Sequence, residues 1–487
     1  MSIAAHRSST TETADERSMP SAPYGDVMCR LVQIERQLRL FDDRIADAPY
    51  WEYLRLRVHY ELSKQLGLLQ IQTDRPKLRL GQSVQLATSL IGHAAKSTLH
   101  RFAPRSIVFF GYRHRSLQAD GQWHDLHLDP LLEELPWSHV YVRRRDHRRE
   151  WSHYDPIPTR HTLEHDAIDL RAETLRRLRP QQLTSAETEK LVATKRTLRD
   201  AFGVDVDLVG MVKAAVTRRR ELMASYRRFF ERTRPKLVVV LAPNVQELAA
   251  VEAARSLGIR TAELQHGMFS TRDPSYTFPA GAGQVRCFVD DLLLYGDYWR
   301  EVAQDIPAGT TTHSIGFEHY ERRAASAQVQ RRPGLVVISQ APIGRALSRF
   351  AVELARRRIV PGPIVYRLHP DETDWRNRYP WLVDSDVRVD DGGEKPLYEL
   401  LAESTSQLGV FSFALFEGLA LGLQTFILDL PGAEAMQSVV DRRWAKLVRS
   451  PEELNEFRGL PVDAAAIFQP DAKRNFYDYL DRVVGPI

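Results

Sequence analysis

Three adjacent residues in the segment TAELQHGMFS have side chains and backbone freedom suited to chemistry: Gln265, His266 and Gly267. An imidazole titrates near neutral pH, so His266 could accept a proton from a hydroxyl group or contact a phosphate. Gln265 could hold one ring nitrogen of His266 by a hydrogen bond, and Gly267 permits a left-handed or closely approached backbone. A turn with a structural histidine is the alternative. The position of these residues directly after an apolar strand favours the functional interpretation.

A second histidine, His369, lies in YRLHPDE and is followed directly by Pro370. The proline favours an extended conformation at His369 and ends the preceding strand. The imidazole would then point into a crevice, where it could donate to a phosphate or a nucleotide, with Arg367 beside it. A surface histidine in a strand-terminating turn is the alternative.

The most specific local pattern is GVFSFALFEGLALG, which reads as a strand end followed by a helix from residue 413. Ser412 lies where an N-cap belongs, so its hydroxyl and the following amides would face the cleft at the positive end of the helix dipole. Glu417 begins the second turn, and the small residue Gly418 allows close packing on the sheet. A diphosphate fits such a site. A helix that is merely well capped is the alternative.

A charged turn precedes another predicted helix in DDGGEKPLYELL. Glu394 and Lys395 stand before Pro396, which suits the first helical position. The two side chains could contact a ribose or a phosphate. A solvated charged turn explains the same residues equally well.

Two series of alternating strands and helices position these residues. The first contains KLVVVLA (236–242), an amphipathic helix closed by Gly258, and the strand IRTAEL that leads into QHG. The second begins with GLVVIS (334–339) and continues to TFILDL (425–430). Near-continuous apolar strands are typical of a parallel sheet covered on both faces. We therefore expect an α/β fold with two Rossmann-like domains whose strand ends line a cleft. Further polar residues expected at these strand ends are Arg113, Asn244, Glu247, Ser339 and Gln340.

The length of 487 residues also predicts two sizeable domains and additional segments. In the N-terminal extension, Pro49 should separate two helices, and a further periodic stretch covers 82–100. The predicted division is a disordered tail (1–25), a helical segment (26–100), an N-terminal Rossmann-like acceptor domain (101–321), a linker (322–333), a C-terminal Rossmann-like nucleotide-sugar donor domain (334–468) and a terminal helix (469–487).

Composition indicates a soluble globular protein, with 43% hydrophobic residues and a mean hydropathy of −0.36. Two cysteines cannot form a disulfide framework, which favours a reducing compartment and hence the cytoplasm. No apolar run approaches the roughly 20 residues that span a bilayer, and no signal peptide is predicted.

The net charge is +4, with arginine-rich runs at 143–150, 217–234 and 331–334. Such runs attract anionic lipid, nucleic acid or phosphorylated glycan carriers, although a solvated surface is the alternative.

The segments ELQHG, LYGDYW, SIGFEHY, YRLHP and FSFALFEGLALG, in this order, resemble bacterial capsule and lipopolysaccharide glycosyltransferases of the GT-B type that carry QHG and HP motifs. The resemblance covers roughly 105–430. It implies two Rossmann-like domains that face a central cleft. It further implies that His369 and Pro370 bind the donor nucleotide and phosphate, that Ser412 and Glu417 lie on the donor side, and that His266 lies on the acceptor side.

One feature departs from this family. In several sialyltransferase families an acidic motif of the N-terminal domain supplies the catalytic base, whereas DDG at 390–392 follows the HP motif here. DDG therefore cannot be equated with that base. The candidates for the base remain His266, Glu247, and Asp125 or Asp129 of WHDLHLDP.

The sequence favours a glycosyltransferase that uses a CMP-, CDP- or UDP-linked sugar, a glycan or lipid-linked acceptor, no cofactor and no metal. DSD at 384–386 precedes a strand instead of ending one, which argues against a carboxylate pair for a divalent ion. The alternatives are a CDP-polyol phosphotransferase of the teichoic-acid type, a sugar-nucleotide epimerase, and a non-enzymatic phosphate- or nucleic-acid-binding module. The last lacks any helix-turn-helix, zinc or RNA-recognition signature. Basic runs could also give peripheral contact with the inner face of the plasma membrane.

Overall fold

The computed structural model describes residues 24–68, 103–112, 115–117, 123–143, 162–282, 285–327, 330–392, 395–456 and 459–486. Its strands are β1 (Ile107–Phe110), β2 (Ser116–Leu117), β3 (Trp123–His124), β4 (His139–Arg143), β5 (Thr162–Glu164), β6 (Leu237–Val240), β7 (Arg260–Leu264), β8 (Asp291–Leu294), β9 (Thr311–Ser314), β10 (Arg332–Ile338), β11 (Ile364–Arg367), β12 (Val387–Asp390), β13 (Ser404–Gly409), β14 (Gln424–Leu428) and β15 (Ala445–Val448).

The helices surround these strands. They are α1 (Tyr24–Gln37), α2 (Tyr50–Gln65), α3 (Asp129–Leu132), α4 (Asp166–Leu178), α5 (Ser185–Phe202), α6 (Leu208–Thr233), α7 (Val245–Ser256), α8 (Asp297–Val302), α9 (Glu318–Ser326), α10 (Gly344–Arg357), α11 (Trp375–Arg378), α12 (Pro380–Val383), α13 (Leu397–Glu403), α14 (Phe413–Ala420), α15 (Gln437–Asp441), α16 (Ala464–Ile467) and α17 (Ala472–Val484), with 3₁₀ helices at Ala433–Met436 and Pro451–Glu456.

Two parallel sheets organise the chain. The first has the order β5-β4-β1-β6-β7-β8-β9 and the second the order β12-β11-β10-β13-β14-β15. Every neighbouring pair in both sheets is parallel. Strands β1, β6 and β8 are buried along their whole length, as strands covered by helices on both faces must be. These two Rossmann-like domains give the GT-B architecture and confirm the predicted fold class.

The N-terminal extension packs on the first domain through α1 and α2. Pro49 immediately precedes α2, which confirms that it separates the two helices. The buried guanidinium of Arg55 donates to both carboxylate oxygens of Glu35 at 2.9 Å, which ties α2 to α1. The predicted periodic stretch 82–100 lies outside the described residues, as does the predicted disordered tail apart from residues 24 and 25, which begin α1.

The linker predicted at 322–333 is too long. Residues up to Ser326 belong to α9, and β10 begins at Arg332, which leaves only 327–331 between them. The lack of hydrophobic periodicity was misleading because α9 buries none of its residues. Arg331 donates to the carbonyl of Leu421 at the end of α14, so this arginine serves a helix end instead of standing free.

The chain returns to the first domain at its end. Helix α17 places Phe476, Tyr479 and Leu480 in the cluster of buried residues that also contains β1 and β6 side chains. The hydroxyl of Tyr479 donates to Asp291 at the start of β8 (2.8 Å). The terminal helix therefore completes the first domain. No helix in the described part of the chain is long and apolar enough to cross a membrane.

The basic run at 217–234 lies on α6, which packs against α4 and α7. Arg218 pairs with Asp169 of α4 (3.1 Å), and Arg219 pairs with the buried Glu252 of α7 (2.5 Å). These arginines therefore join helices within the domain. Of the run at 143–150, only Arg143 lies within the described residues.

Candidate functional site

The carboxyl-end loops of the two sheets meet through aromatic side chains. Tyr295 directly follows β8, and its ring lies 4.6 Å from Phe317, which follows β9. The ring of Phe413, the first residue of α14 in the second domain, lies 5.4 Å from Tyr295 and 5.7 Å from Phe317. His127 stacks on Phe317 and its Nδ1 lies 2.9 Å from the Tyr295 hydroxyl. This cluster joins the domains beside the predicted site residues.

His266 lies two residues beyond the carboxyl end of β7, and its side chain is 24% exposed. Its Nδ1 lies 3.9 Å from Oε1 of Glu263, and its ring lies 5.5 Å from Tyr112. The predicted position after the carboxyl end of a strand is thus confirmed. The acidic neighbour is Glu263, which was not among the predicted site residues.

Gln265 does not hold the imidazole as predicted. Its amide donates to the carbonyl oxygen of Gly267 (2.9 Å) and accepts from the backbone N–H of Tyr295 (2.8 Å). The side chain is buried, so it satisfies one backbone group of its own loop and one at the end of β8 instead of a side chain at the surface. The prediction for Gly267 is also wrong, because its φ is not positive and a Cβ there would meet no described atom within 4 Å. The space at the Cβ position of Gly267 is therefore open among the described residues.

Glu263 carries a strongly perturbed carboxyl group. Burial raises its pKa to about 8, and the nearby Asp273 and Glu247 act in the same direction. The hydroxyl of Tyr276 donates to Oε1 of Glu263 and opposes this rise. A glutamate inside an apolar strand, three positions before a histidine, is the sequence signal that could have identified it.

Asp125 is placed differently from a solvent-facing catalytic base. It is fully buried, and its carboxylate accepts from the Tyr112 N–H (2.7 Å), the Tyr141 hydroxyl (2.9 Å) and two backbone amides of the following loop (3.1 and 3.2 Å). Its oxygens therefore hold the loop after β1. Burial, with the charge of Asp125, raises the pKa of the neighbouring Asp129 to about 7.

Two other predicted residues lie at the start of α7. Asn244 is exposed and occupies the N-cap position without a side-chain capping hydrogen bond. Glu247 is buried and lies close enough to Glu263 to raise the pKa of that carboxyl. Arg113 lies outside the described residues.

In the second domain, Ser339 belongs to a buried hydrogen-bond network. Its hydroxyl is 2.8 Å from the Tyr366 hydroxyl and 3.0 Å from Oε1 of Glu372. Glu372 also accepts from the Tyr379 hydroxyl and from the His369 N–H (2.7 Å), so it fixes the HP turn. Its place three residues after the histidine, in HPDE, was the missed signal. Oε1 of Gln340 is buried and has no hydrogen-bond partner among the described residues.

His369 and Pro370 are both exposed at the turn that follows β11. The imidazole is 43% exposed, and its Nδ1 accepts from the Asp371 N–H (3.2 Å). The prediction that the strand stops before this histidine is confirmed. The ring is accessible to a ligand from solvent.

Arg367 and Lys395 are engaged by acidic residues of their own domain. Nη1 of Arg367 donates to Asp390 (3.1 Å) and to the carbonyl oxygen of Lys395 (2.8 Å). Nζ of Lys395 lies 2.6 Å from both carboxylate oxygens of Glu403. The two cations therefore shape the loop after β12, and a phosphate would have to compete with these carboxylates. Glu394 lies outside the described residues.

Ser412 occupies the N-cap position of α14, as predicted, but its side chain makes no capping hydrogen bond. Glu417 is buried and accepts from the Tyr398 hydroxyl; burial raises its pKa to about 7. A Cβ at Gly418 would clash with the side chain of Gln407 on β13, which confirms the predicted close packing of this helix. The start of α14 points toward the first domain, where Phe413 contacts Tyr295. In the described part of the chain, no three acidic, histidine or cysteine side chains are grouped to hold a metal ion.

No protein-family model and no curated protein matches the chain. Similar solved structures include UDP-GlcNAc 2-epimerase from Methanocaldococcus jannaschii, with 11% identity over 77% of this chain and 99% of that chain and a TM-score of 0.44. UDP-GlcNAc 2-epimerase from Neisseria meningitidis bound to UDP-GlcNAc has 13% identity over 77% of this chain and 99% of that chain, with a TM-score of 0.42. MurG from Acinetobacter baumannii has 12% identity over 78% of this chain and 100% of that chain, with a TM-score of 0.44.

Proposed function

We propose that this chain is a glycosyltransferase that moves a sugar from a nucleotide-linked donor to a glycan or lipid-linked acceptor. One observation carries the proposal. A partly exposed histidine, His266, stands at the carboxyl edge of one parallel sheet with the carboxyl of Glu263 3.9 Å from its Nδ1, and the loops of that edge contact the start of α14 in the second Rossmann-like domain.

In the proposed reaction, His266 accepts the proton of an acceptor hydroxyl as its oxygen bonds to the anomeric carbon of the sugar. The bond between that carbon and the phosphate oxygen breaks, and its electrons leave with the nucleotide. Glu263 is proposed as a positioning residue, because its Oε1 lies 3.9 Å from Nδ1 of His266. Burial raises its pKa to about 8, so its carboxyl would stabilise the imidazolium by charge only as the pH approaches and passes 8. An acceptor could approach through the open space at the Cβ position of Gly267, the residue next to His266.

On the donor side, His369 and the first amides of α14 are proposed to offset negative charge on the departing phosphate. His369 suits this role because its ring is 43% exposed while its backbone is fixed by Glu372. Arg367 and Lys395 enter the proposal as residues that hold the adjoining loop, since Asp390 and Glu403 engage them.

A thermal-shift screen of the full chain against CMP, CDP, UDP, GDP and TDP is the first test. Stabilisation by one nucleotide supports the proposal and selects the donor for a transfer assay by mass spectrometry. A response to CMP or CDP alone would favour a transferase of sialic acid, Kdo or polyol phosphate. A response to UDP would reject these three classes of transferase. Release of an epimerised free sugar without an acceptor would indicate an epimerase, whereas a salt-dependent gel shift without nucleotide stabilisation would indicate a nucleic-acid-binding module.

Two variants then test the division of labour. His266→Ala should reduce transfer by about 10²–10⁴-fold, the usual contribution of a general base, and leave nucleotide binding intact. His369→Ala should weaken nucleotide binding itself. His139→Ala, at the amino end of β4, is the matched control and should change neither. If the first two variants behave alike, the assignment of roles is wrong.

Peripheral contact with the inner face of the membrane remains a part of this proposal that rests on the basic run at 143–150. A variant with Arg143, Arg144 and Arg145 replaced by glutamate should lose binding to vesicles that contain anionic lipid. Equal partition of this variant and the wild type between membrane and soluble fractions would contradict the contact.

A further inference from the structure

A cavity of about 220 Å³ lies on the first domain between α2, the start of α7 and the segment 274–288. Two large side chains of α2 line it and are exposed, Leu56 at 40% and Tyr60 at 41%. The rest of the lining includes the apolar side chains of Val245, Leu248, Phe278, Val285 and Phe288. Such walls suit the apolar part of a ligand.

Three charged side chains belong to the described lining, and two of them are engaged within the domain. Arg55 is 3% exposed, and its guanidinium donates to both carboxylate oxygens of Glu35. Glu52 is 7% exposed, and its carboxylate accepts from the backbone N–H groups of Cys287 and Arg286. Neither side chain therefore offers a ligand an accessible charge.

Arg57 is the third charged side chain of the lining, and its surroundings differ from those of the other two. It is exposed, and it makes no hydrogen bond or ion pair with any described residue. Asn244 is also exposed in the lining, and its side chain makes no capping hydrogen bond. A guanidinium and an amide group both donate, so these residues suit an anionic oxygen, whereas the charge of Arg57 would repel a cation.

The volume sets the length of the apolar part. A dry apolar cavity of about 150 Å³ accommodates benzene, so 220 Å³ has room for about nine non-hydrogen atoms by proportion. We propose that this cavity is a second ligand site, which binds an alkyl chain of about eight carbon atoms whose anionic head group pairs with Arg57. The site does not depend on the proposed transfer reaction, because it uses none of the residues to which that reaction assigns a role.

The probe is octanoate, and the comparison ligand is octylammonium, which has the same chain length and the opposite charge. Calorimetry on the full chain should show saturable binding of one octanoate, with octylammonium binding at least fivefold more weakly. Absence of saturable octanoate binding, or equal affinity for the two ligands, would overturn the proposal.

Variants locate the head group and the chain. Arg57→Gln should weaken octanoate about three- to fivefold, the upper range for an ion pair at an exposed arginine, and leave the affinity for uncharged 1-octanol unchanged. Lys64→Gln, at an exposed lysine of α2 outside the lining, is the matched control and should bind both ligands as the wild type does. Leu56→Trp should weaken both ligands at least fivefold because the larger side chain covers the mouth of the cavity, whereas Val192→Trp, at a similarly exposed position of α5 (43%), should not. Unchanged octanoate affinity in Arg57→Gln, or wild-type affinity in Leu56→Trp, would overturn the proposal.

A free fatty acid and a phospholipid both offer an alkyl chain with an anionic head group, and competition separates these two sources. Dioctanoylphosphatidylglycerol has the same chain length as octanoate. Displacement of octanoate by this phospholipid supports a lipid as the occupant. Retention of bound octanoate supports a free acid.

Discussion

Replacement of Glu263 by glutamine isolates the electrostatic cost of a carboxyl group inside β7. The side chain is 3% exposed, accepts from the Tyr276 hydroxyl, and lies 3.9 Å from His266. Burial raises its pKa from 4.5 to about 8. Glutamine keeps the size and the acceptor oxygen, but it cannot ionise. Any pH-dependent difference between the two proteins therefore reports on this one group.

The direction follows from the number of protons that each state binds. Between the unfolded pKa of 4.5 and the folded pKa of about 8, the native Glu263 keeps a proton that the unfolded chain has released. The stabilisation from this proton is fully present below pH 4.5 and is lost as the pH rises toward 8. With these two pKa values, the loss between pH 5 and pH 8 is about 3–4 kcal/mol. The variant lacks this loss.

Urea unfolding of both proteins at pH 5, 6, 7 and 8, followed by tryptophan fluorescence, measures the difference in the free energy of unfolding. From pH 5 to pH 8, the free energy of unfolding of the variant should rise by about 3–4 kcal/mol relative to that of the wild type. Glu231→Gln, at an exposed glutamate of α6, is the matched control and should show no such trend. A difference that stays constant from pH 5 to pH 8, or that favours the wild type as the pH rises, would refute the assignment of a raised pKa to Glu263.

Three further substitutions test local geometry. Gly267→Ala should leave the melting temperature unchanged, since a Cβ at this position would meet no described atom within 4 Å. The substitution should nevertheless lower kcat/KM at least tenfold, because the added methyl group fills space next to His266. Unchanged kcat/KM would show that no ligand approaches there. Gly344→Ala should lower the free energy of unfolding by about 1–3 kcal/mol in urea titrations, because its Cβ would clash with the Tyr379 hydroxyl; wild-type stability would contradict this packing. Tyr398→Phe removes the hydrogen bond that lowers the pKa of Glu417, so that pKa should rise above about 7 in an NMR titration, and a fall would refute the contact.

Most of the sheet elements that carry the candidate site were predictable, because strands buried on both faces are almost entirely apolar. The predicted strand at 236–242 contains β6, and the predicted strand at 334–339 overlaps β10 over residues 334–338. Connections in parallel sheets need crossover helices, so alternation of strands and helices also predicted the two Rossmann-like domains. The order of the strands, with β5 and β4 at the edge of the first sheet, requires the structure.

The region between β1 and β6 was the largest omission. Helices α4, α5 and α6 were not predicted, and the arginines of α6 were interpreted as a basic surface. The reason is that Arg218 and Arg219 are paired with acidic residues 49 and 33 positions away in the chain. A run of like charges in the sequence conveys nothing about such partners, which only the packing of neighbouring helices supplies.

The same limitation explains which site residues changed role. Polar groups at the end of a buried strand are needed to satisfy loop backbone whether or not a ligand binds, since buried N–H and C=O groups must be paired. Gln265, exposed by 1%, serves that need. Ser339, exposed by 2%, instead hydrogen-bonds to the side chains of Tyr366 and Glu372. The side chains of His266 and His369 are 24% and 43% exposed. Substitution of the two buried residues therefore perturbs the loops first. The two histidines are the positions at which substitution can separate chemistry from folding.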